Sequence, residues 1–500
     1  MPARSVLRLL RVFISAVLLA ATLANAAENI PSAPSTQTPS ETPSSSANPS
    51  TASQALEGIG TQIDRIVAEE MTAQRIPGLA LAVISRGEIL RASGYGFANV
   101  EHRVPVSRQT VFQSASLGKM FTAAAIMLLV EDGKLSLEDS VARFFPEAPA
   151  AWRSITLRHL LTHTSGIPDY IDGTLDLRKD FTEEEFVGKT FAMTLEFPAG
   201  KRWNYSNTGY VLLGFIVHRA SGKLYGDLLR ERVFTPLGMS SARVISEEDI
   251  VEHRAAGYRI VNEQLKNQPW VAPTLNTTAD GALYLSADDL IRWDRAVRER
   301  ALLKPSSWEA ILTPVRLASG KPFPYGFGWG LPDGPGPARI GHTGHTWGFT
   351  TAYVHLLEED LTVLMLCNLD GVDETQITRR VAGVIVPAIL TRRSPQTDPD
   401  PALAQRVLEL IRQSATGTLR AEDFEWLRAG ALAYMNKQYK VQLQGMSSFD
   451  RLSLLERREV GDDLHVEYRA RSGNKTFIAT AEVSPSGRFT FFDVRPEIPD

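Results

Sequence analysis

QSASLGKMF, residues 113–121, places two serines and a lysine at the mouth of an apolar segment that runs from Leu117 to Gly133 and is rich in Ala, Leu and Met. That composition predicts a helix closed by Gly133. Residues three apart on a helix are neighbours, with Cβ atoms about 5–6 Å from each other, so Lys119 can reach the Ser116 oxygen. Ser114 lies five residues from the lysine and points elsewhere. The first turn of such a helix also carries unpaired N–H groups and the positive end of the dipole, which stabilise a developing oxyanion. Either serine can equally be a plain helix cap, and a lone Ser-x-x-Lys arises often enough by chance that capping outweighs catalysis on this stretch alone. A lysine of ordinary pKa is neutral only about 0.04% of the time at pH 7, so its use as a base costs about 4.6 kcal/mol unless its surroundings lower that pKa. Other polar groups must therefore converge on the same oxygen.

Two downstream segments offer them. In FPAGKRWNYSNTGYVLLGFIVHRASGK (197–223), Tyr205-Ser206-Asn207 forms a tight polar loop before an apolar helix. A phenol beside a lysine can share and relay a proton, and an asparagine amide can bind a carbonyl. In ARIGHTGHTWGFTTAYVHL (338–356), glycines 341, 344 and 348 flank an edge strand and let a substrate backbone approach closely.

Ser116-x-x-Lys119, Tyr205-Ser206-Asn207 and His342-Thr343-Gly344, in that order, resemble the three motifs of the class C β-lactamase-like serine hydrolases and penicillin-binding proteins. VFQSASLGKMFTA, ITLRHLLTHTSGIPDY, GALYLSADDLIRW and YGFGWG also resemble stretches of that superfamily, and the likeness runs from about Ile63 to Asn368. It implies an α/β fold with α+β character: an antiparallel sheet flanked by helices, built from about 63–110 and 325–390, plus a mostly helical lobe. Ser116 would sit at the start of the central helix, in the cleft. The resemblance further implies Ser116 as nucleophile, Lys119 as the activating amine and Tyr205 as the partner that later protonates the leaving group. The oxyanion would be held by the backbone N–H groups of Ser116 and of His345, the residue after Gly344, and Asn207 would hold the acyl chain's amide. Which of Lys119 and Tyr205 is the general base stays open, since the two titrate as a coupled pair. One departure matters: β-lactamases of this superfamily usually have lysine where this chain has His342, a residue mostly neutral at pH 7. A D-amino-acid peptide or a carboxylic ester is thus favoured over a β-lactam, with lactones also open. A non-turnover penicillin-binding or peptide-sensing protein of the same fold is the alternative reading.

Other chemistries fit less well. His342 and His345 point to opposite faces of a strand and lack a carboxylate or cysteine cluster, so no metal or other cofactor is expected. No Gly-x-Ser-x-Gly elbow occurs, which argues against a Ser-His-Asp hydrolase of the α/β type. His159 and His163, four apart in a helical stretch, read as structural hydrogen-bonding residues, and Asp280 as a residue that fixes a loop. Cys367 lies in LTVLMLCNLDG, a continuous apolar run that reads as a buried strand, and a single cysteine forms no internal disulfide.

The chain of 500 residues carries 53 basic and 57 acidic side chains for a net charge of −4, without a dense basic stripe, which disfavours nucleic acid and leaves a small molecule or peptide as the partner. Nothing in it indicates an oligomeric state. Arg4, Arg8 and Arg11 precede an apolar run from Val12 to Ala24 and an Ala-Asn-Ala site, which predicts a signal peptide over 1–26 and a periplasmic or secreted protein with no stable membrane span after cleavage. A Pro/Ser/Thr-rich tether is expected over 27–57, the hydrolase region over 58–392 and a linker over 393–401. Residues 402–500 read as a small α+β module: helices at 402–413 and 421–437, then a half-buried strand 464–471 and two more, turning at Gly473 and Gly487. Phe489, Phe491 and Phe492 read as core.

Overall fold

Two apolar stretches far apart in the chain pair at the centre of the molecule: Gly78–Ser85 runs antiparallel to Leu361–Cys367, Leu79 opposite Cys367 and Ser85 opposite Leu361. The computed structural model describes residues 51–172, 175–334, 336–427, 430–444, 446, 449 and 451–497. The signal peptide and most of the tether lie outside those residues. Helix α1 (Thr51–Gln74) begins inside the last residues assigned to the tether. It leads to β1 (Gly78–Ser85) and β2 (Glu88–Asn99), a hairpin turned at Arg86-Gly87, and to the short β3 (Val104–Pro105). The helical insertion holds α2 (Gly118–Glu131) and α3 (Asn207–Ser221), after which β4 (Arg339–Thr346), β5 (Phe349–Leu356), β6 (Leu361–Cys367) and α4 (Glu374–Gly383) complete the first region.

The six strands form one antiparallel sheet in the order β4-β5-β6-β1-β2-β3, with β4 at an edge. Strand side chains alternate, so Leu79, Leu81 and Val83 meet α1 and α4 on one face, while Ala80, Ala82 and Ile84 belong to the core shared with α2 on the other. Burial on both faces is why these strands read as unbroken apolar runs. Cys367 is fully buried there, and burial pushes its thiol up to about 12.

Past Leu390 the chain forms α5 (Pro401–Thr416), α6 (Ala431–Gln442), β7 (Leu452–Val460), β8 (Asp463–Ser472), β9 (Lys475–Val483) and β10 (Phe489–Pro496), with the four strands in sequential order. Phe489 and Phe492 join its core, whereas Phe491 is 47% exposed. Two expectations need correction. The second helix starts ten residues later than its sequence pattern: Ala421–Asp423 is one short turn, because Phe424 bridges to Phe489 and the Glu425 N–H donates to the Phe489 carbonyl, pulling the chain toward the sheet. Strand β8 is not half-buried, for His465, Glu467 and Arg469 are buried along with the apolar set. Arg393 pairs with Glu456 and Glu467, Arg469 pairs with Glu497, and Gln396 binds the Leu454 carbonyl at 2.8 Å, so the supposed linker covers the charged face of the sheet.

Candidate active site

The chain enters α2 through a strained turn. Ala115 has φ of +47°, and a short 3-10 turn, Ala115–Leu117, continues into the helix. Ser114 is fully buried with its hydroxyl 3.1 and 3.0 Å from the carbonyls of Ala115 and Gly281, and it faces away from the cleft. Ser116 is partly exposed, and two groups converge on its Oγ: Lys119 Nζ at 3.1 Å and the Tyr205 hydroxyl at 2.8 Å. Lys119 has no exposed surface. Its Nζ also donates to Asn207 Oδ1 at 2.7 Å and to the Asp280 carbonyl at 2.5 Å. Burial lowers the lysine to about 8, against an opposing pull from the Asp280 and Asp169 carboxylates. Burial above all holds the Tyr205 phenol well above its ordinary range. An ammonium has three hydrogens for three acceptors; on losing one it keeps two for Asn207 and Asp280 and turns a lone pair toward Ser116.

Edge strand β4 closes the other side. A methyl group placed on Gly344 would lie 2.8 Å from the Ser114 carbonyl oxygen and 2.9 Å from the Ser116 nitrogen, so only glycine lets the strand approach the helix entry this closely. Thr351 on β5 anchors the same turn by donating to the Ser114 carbonyl at 2.8 Å. Beneath the helix, Gly281 packs on Ala115 and Gly328, at φ +74°, packs on the Lys119 backbone.

A directional hydrogen-bond chain lies behind Tyr205. The Ser206 N–H donates to His163 Nδ1 at 3.1 Å, which leaves the His163 proton on Nε2, 3.2 Å from the Tyr325 oxygen. His342 Nδ1 contacts the Thr343 carbonyl and must carry hydrogen, so its Nε2 accepts from the Tyr325 hydroxyl at 3.0 Å. Burial first, then the nearby Lys119 charge, lower His342 to about 3. The ring is therefore neutral at every physiological pH, with both nitrogens engaged. His163 itself follows the short helix Leu157–Leu161 in a left-handed conformation, φ +57°, so it does not share a helix with His159 as its spacing suggests. His159 caps that helix through Thr156.

His345 turns its side chain out of the site. Its Nε2 is 3.2 Å from Glu374 Oε2, and although burial works against the charge, Glu374 raises its pKa and ties the edge strand to α4. Asn207, expected to hold a substrate amide, is engaged within the protein: Oδ1 accepts from Lys119 and Nδ2 donates to Asp169 Oδ2 at 3.0 Å. One amide hydrogen remains for a ligand.

The sequence profile of the Beta-lactamase family matches residues 63–385. The chain belongs to that family. It is 34% identical over 299 residues to penicillin-binding protein 4* of Bacillus subtilis, covering 56% of this chain and 66% of that relative's length. The octameric penicillin-binding protein homologue of Pyrococcus abyssi superposes with a TM-score of 0.57 at 25% identity, over 88% of this chain and 96% of that one. The D-amino acid amidase of Ochrobactrum anthropi SV3, solved with L-phenylalanine amide, superposes with a TM-score of 0.58 at 26% identity, over 66% of this chain and 99% of that one.

In this Beta-lactamase family chain the tertiary structure thus gathers Lys119, Tyr205, Asn207 and Gly344 about Ser116, with His342 reached through Tyr325 and the His345 side chain turned toward Glu374. Three further participants lie in stretches the sequence marked without assigning them these contacts. Asp169 is buried and bonds Asn207. Asp280 fixes its loop as expected, accepting from Thr278 and Tyr170, yet its backbone carbonyl is also a Lys119 partner. Tyr325, the first residue of YGFGWG, completes the histidine chain. Their sequence context marked a motif but not which atom in it would point inward.

Proposed function

We propose that this protein is an exported serine hydrolase that forms a covalent acyl-enzyme at Ser116 and hydrolyses an amide or ester bond. The observation that carries the reading is the convergence of Lys119 Nζ and the Tyr205 hydroxyl on Ser116 Oγ at 3.1 and 2.8 Å. Lys119 is the base: lowered to about 8, about one lysine in ten is neutral at pH 7, and the cost of using it falls from about 4.6 to about 1.4 kcal/mol. Ser116 passes its proton to the lone pair of Lys119 and attacks the carbonyl carbon. The oxyanion meets the backbone N–H groups of Ser116 and His345. Tyr205, held protonated by burial, donates to the leaving group and recovers a proton from Lys119. Water then releases the acyl group.

The neutral His342 offers no fixed cation for a carboxylate, which supports a D-amino-acid amide or peptide, or a carboxylic ester, over a β-lactam. The likenesses to a D-amino acid amidase and to penicillin-binding proteins support the same choice. The Arg-flanked apolar N-terminus supports export.

The test is to incubate the purified protein with a fluorophosphonate, then with p-nitrophenyl esters, D-phenylalanine amide and a chromogenic cephalosporin, beside Ser116→Ala. Labelling and ester or amide turnover that vanish in Ser116→Ala are expected. Labelling that survives the substitution sinks the mechanism, and a stable adduct without turnover selects the penicillin-binding alternative.

The pH profile follows from the same groups. The base must be neutral, so kcat/KM should be low in acid and rise as pH passes about 8, where Lys119 loses its proton. Asp169→Asn removes a negative charge that favours the ammonium, so the rising limb should move to lower pH, by about half to one unit. A limb that stays in place, or moves up, would exclude Lys119 as the titrating group.

A further inference from the structure

The segment that carries Tyr205 has little regular structure of its own. From Pro198 to Ser206 it is a loop, turned at Gly200 with φ of +79°. On its inner side the backbone is held by Gly200 N–H to the Thr164 carbonyl at 2.8 Å and Asn204 N–H to the His163 carbonyl at 2.9 Å. On its outer side it meets residues from beyond position 420. Arg202 pairs with Asp463 at 2.9 Å, with side chains only 21% and 9% exposed, and the Arg202 guanidinium also lies over the Trp426 ring at 5.7 Å. Trp426 makes an edge contact with Phe197 at 6.4 Å.

A second path reaches the same loop. The turn between β7 and β8 seats Gly461 against Leu317 and Phe323, and the Gly461 N–H donates to the Pro322 carbonyl at 3.1 Å. Phe323 stacks on Trp203 at 4.4 Å, and Trp203 in turn touches Tyr205 at 6.4 Å and Tyr325 at 5.6 Å. Lys321–Glu459 at 2.9 Å and Arg458–Asp333 at 2.8 Å flank this contact. The C-terminal module therefore touches the Tyr205 loop directly, through Asp463 of the sheet and through Trp426 ahead of α6, and also through one layer of aromatic rings behind Gly461.

We infer that the C-terminal module is a positioning element for Tyr205: its β7–β8 turn and Trp426 clamp the 197–206 loop from outside and hold the phenol on Ser116. A displacement of about 1 Å at a reacting group is enough to cost about a hundredfold in rate, and a loop held on one side only is free to make it. The part concerning rate rests on the role proposed above for Tyr205; the clamp itself does not.

The test uses the full chain with Asp463→Asn and Trp426→Ala combined. Arg202 and Thr490 share Asp463 Oδ2, so Asp463→Asn removes the charge that pairs with Arg202 while leaving an amide oxygen for Thr490, and Trp426 is 47% exposed, so neither change hollows a core. Hydrogen exchange in peptides covering 197–207 should speed up, while peptides from β1 and β6 stay protected. The ester or amide kcat should fall about tenfold with KM unchanged. In a Tyr205→Phe background the same pair should have no further effect on kcat, because the group it positions is gone. Unchanged exchange over 197–207 overturns the clamp. An equal loss of kcat with and without the Tyr205 hydroxyl overturns its action through Tyr205. A wild type that hydrolyses nothing defeats the proposed function instead, and the exchange result still decides the clamp.

Discussion

Lys119→Met should lower kcat about a thousandfold, about 4 kcal/mol of transition-state stabilisation, while leaving the protein folded. Methionine matches the length of the lysine stem but carries neither proton nor charge, so Ser116 loses its acceptor and Tyr205 the group that reloads it. Two opposed effects act on stability. Asn207 Oδ1 and the Asp280 carbonyl lose a buried donor, at a cost of about 1–3 kcal/mol each, while the desolvation of a fully buried ammonium is relieved. Circular dichroism checks the fold and single-turnover kinetics with an activated ester check the rate. If acylation stays within tenfold of wild type, Lys119 is not the base, and Tyr205 would have to take the proton in spite of its raised pKa.

Gly344→Ala should cost about a hundredfold or more in kcat, the scale of one lost oxyanion donor. The added methyl meets the Thr351 hydroxyl first and then two backbone atoms, the Ser114 carbonyl oxygen at 2.8 Å and the Ser116 nitrogen at 2.9 Å, and the backbone atoms cannot swing aside as the end of a side chain would. Edge strand β4 has to move off the helix entry, taking the His345 N–H with it and opening the space proposed for the oxyanion. Since β4 lies at the sheet edge, with β5 on one side and only the isolated bridge between Gly341 and Gly330 on the other, this movement should leave most of the sheet intact. The prediction is checked by measuring fluorophosphonate labelling rate and thermal midpoint together. A large loss of labelling with little change in midpoint is expected; undiminished labelling would remove Gly344 and His345 from the oxyanion site.

Much of this site was legible in the chain itself because its parts are short and chemically distinctive. A serine three residues before a lysine at a helix mouth, a tyrosine before an asparagine at another, and glycines at alternate turns of an edge strand each have a local physical reason. The sheet was legible for a similar reason: β1 and β6 are apolar on both faces and have no other place to go. Local pattern misled where a tertiary contact overrode it. The segment 421–437 has helical spacing, but Phe424 is bridged to Phe489 before the helix can start. The alternation of β8 promised a wet face, yet Arg393 and Gln396 fold over it.

Returned to QSASLGKMF, the chain alone determined which atoms were candidates: Ser116 and Lys119 share a helix face because of spacing, and Ser114 does not. Only the tertiary structure decided their chemistry. Asn207 and Asp280, 88 and 161 residues from Lys119, supply the acceptors that orient its amine, and the surrounding core removes the water that would keep it charged. Burial and the Lys119 charge likewise keep His342 neutral, and Tyr325 occupies its Nε2, which no histidine in a sequence can announce. Burial and long-range partners set protonation, and protonation sets what a serine beside a lysine can do.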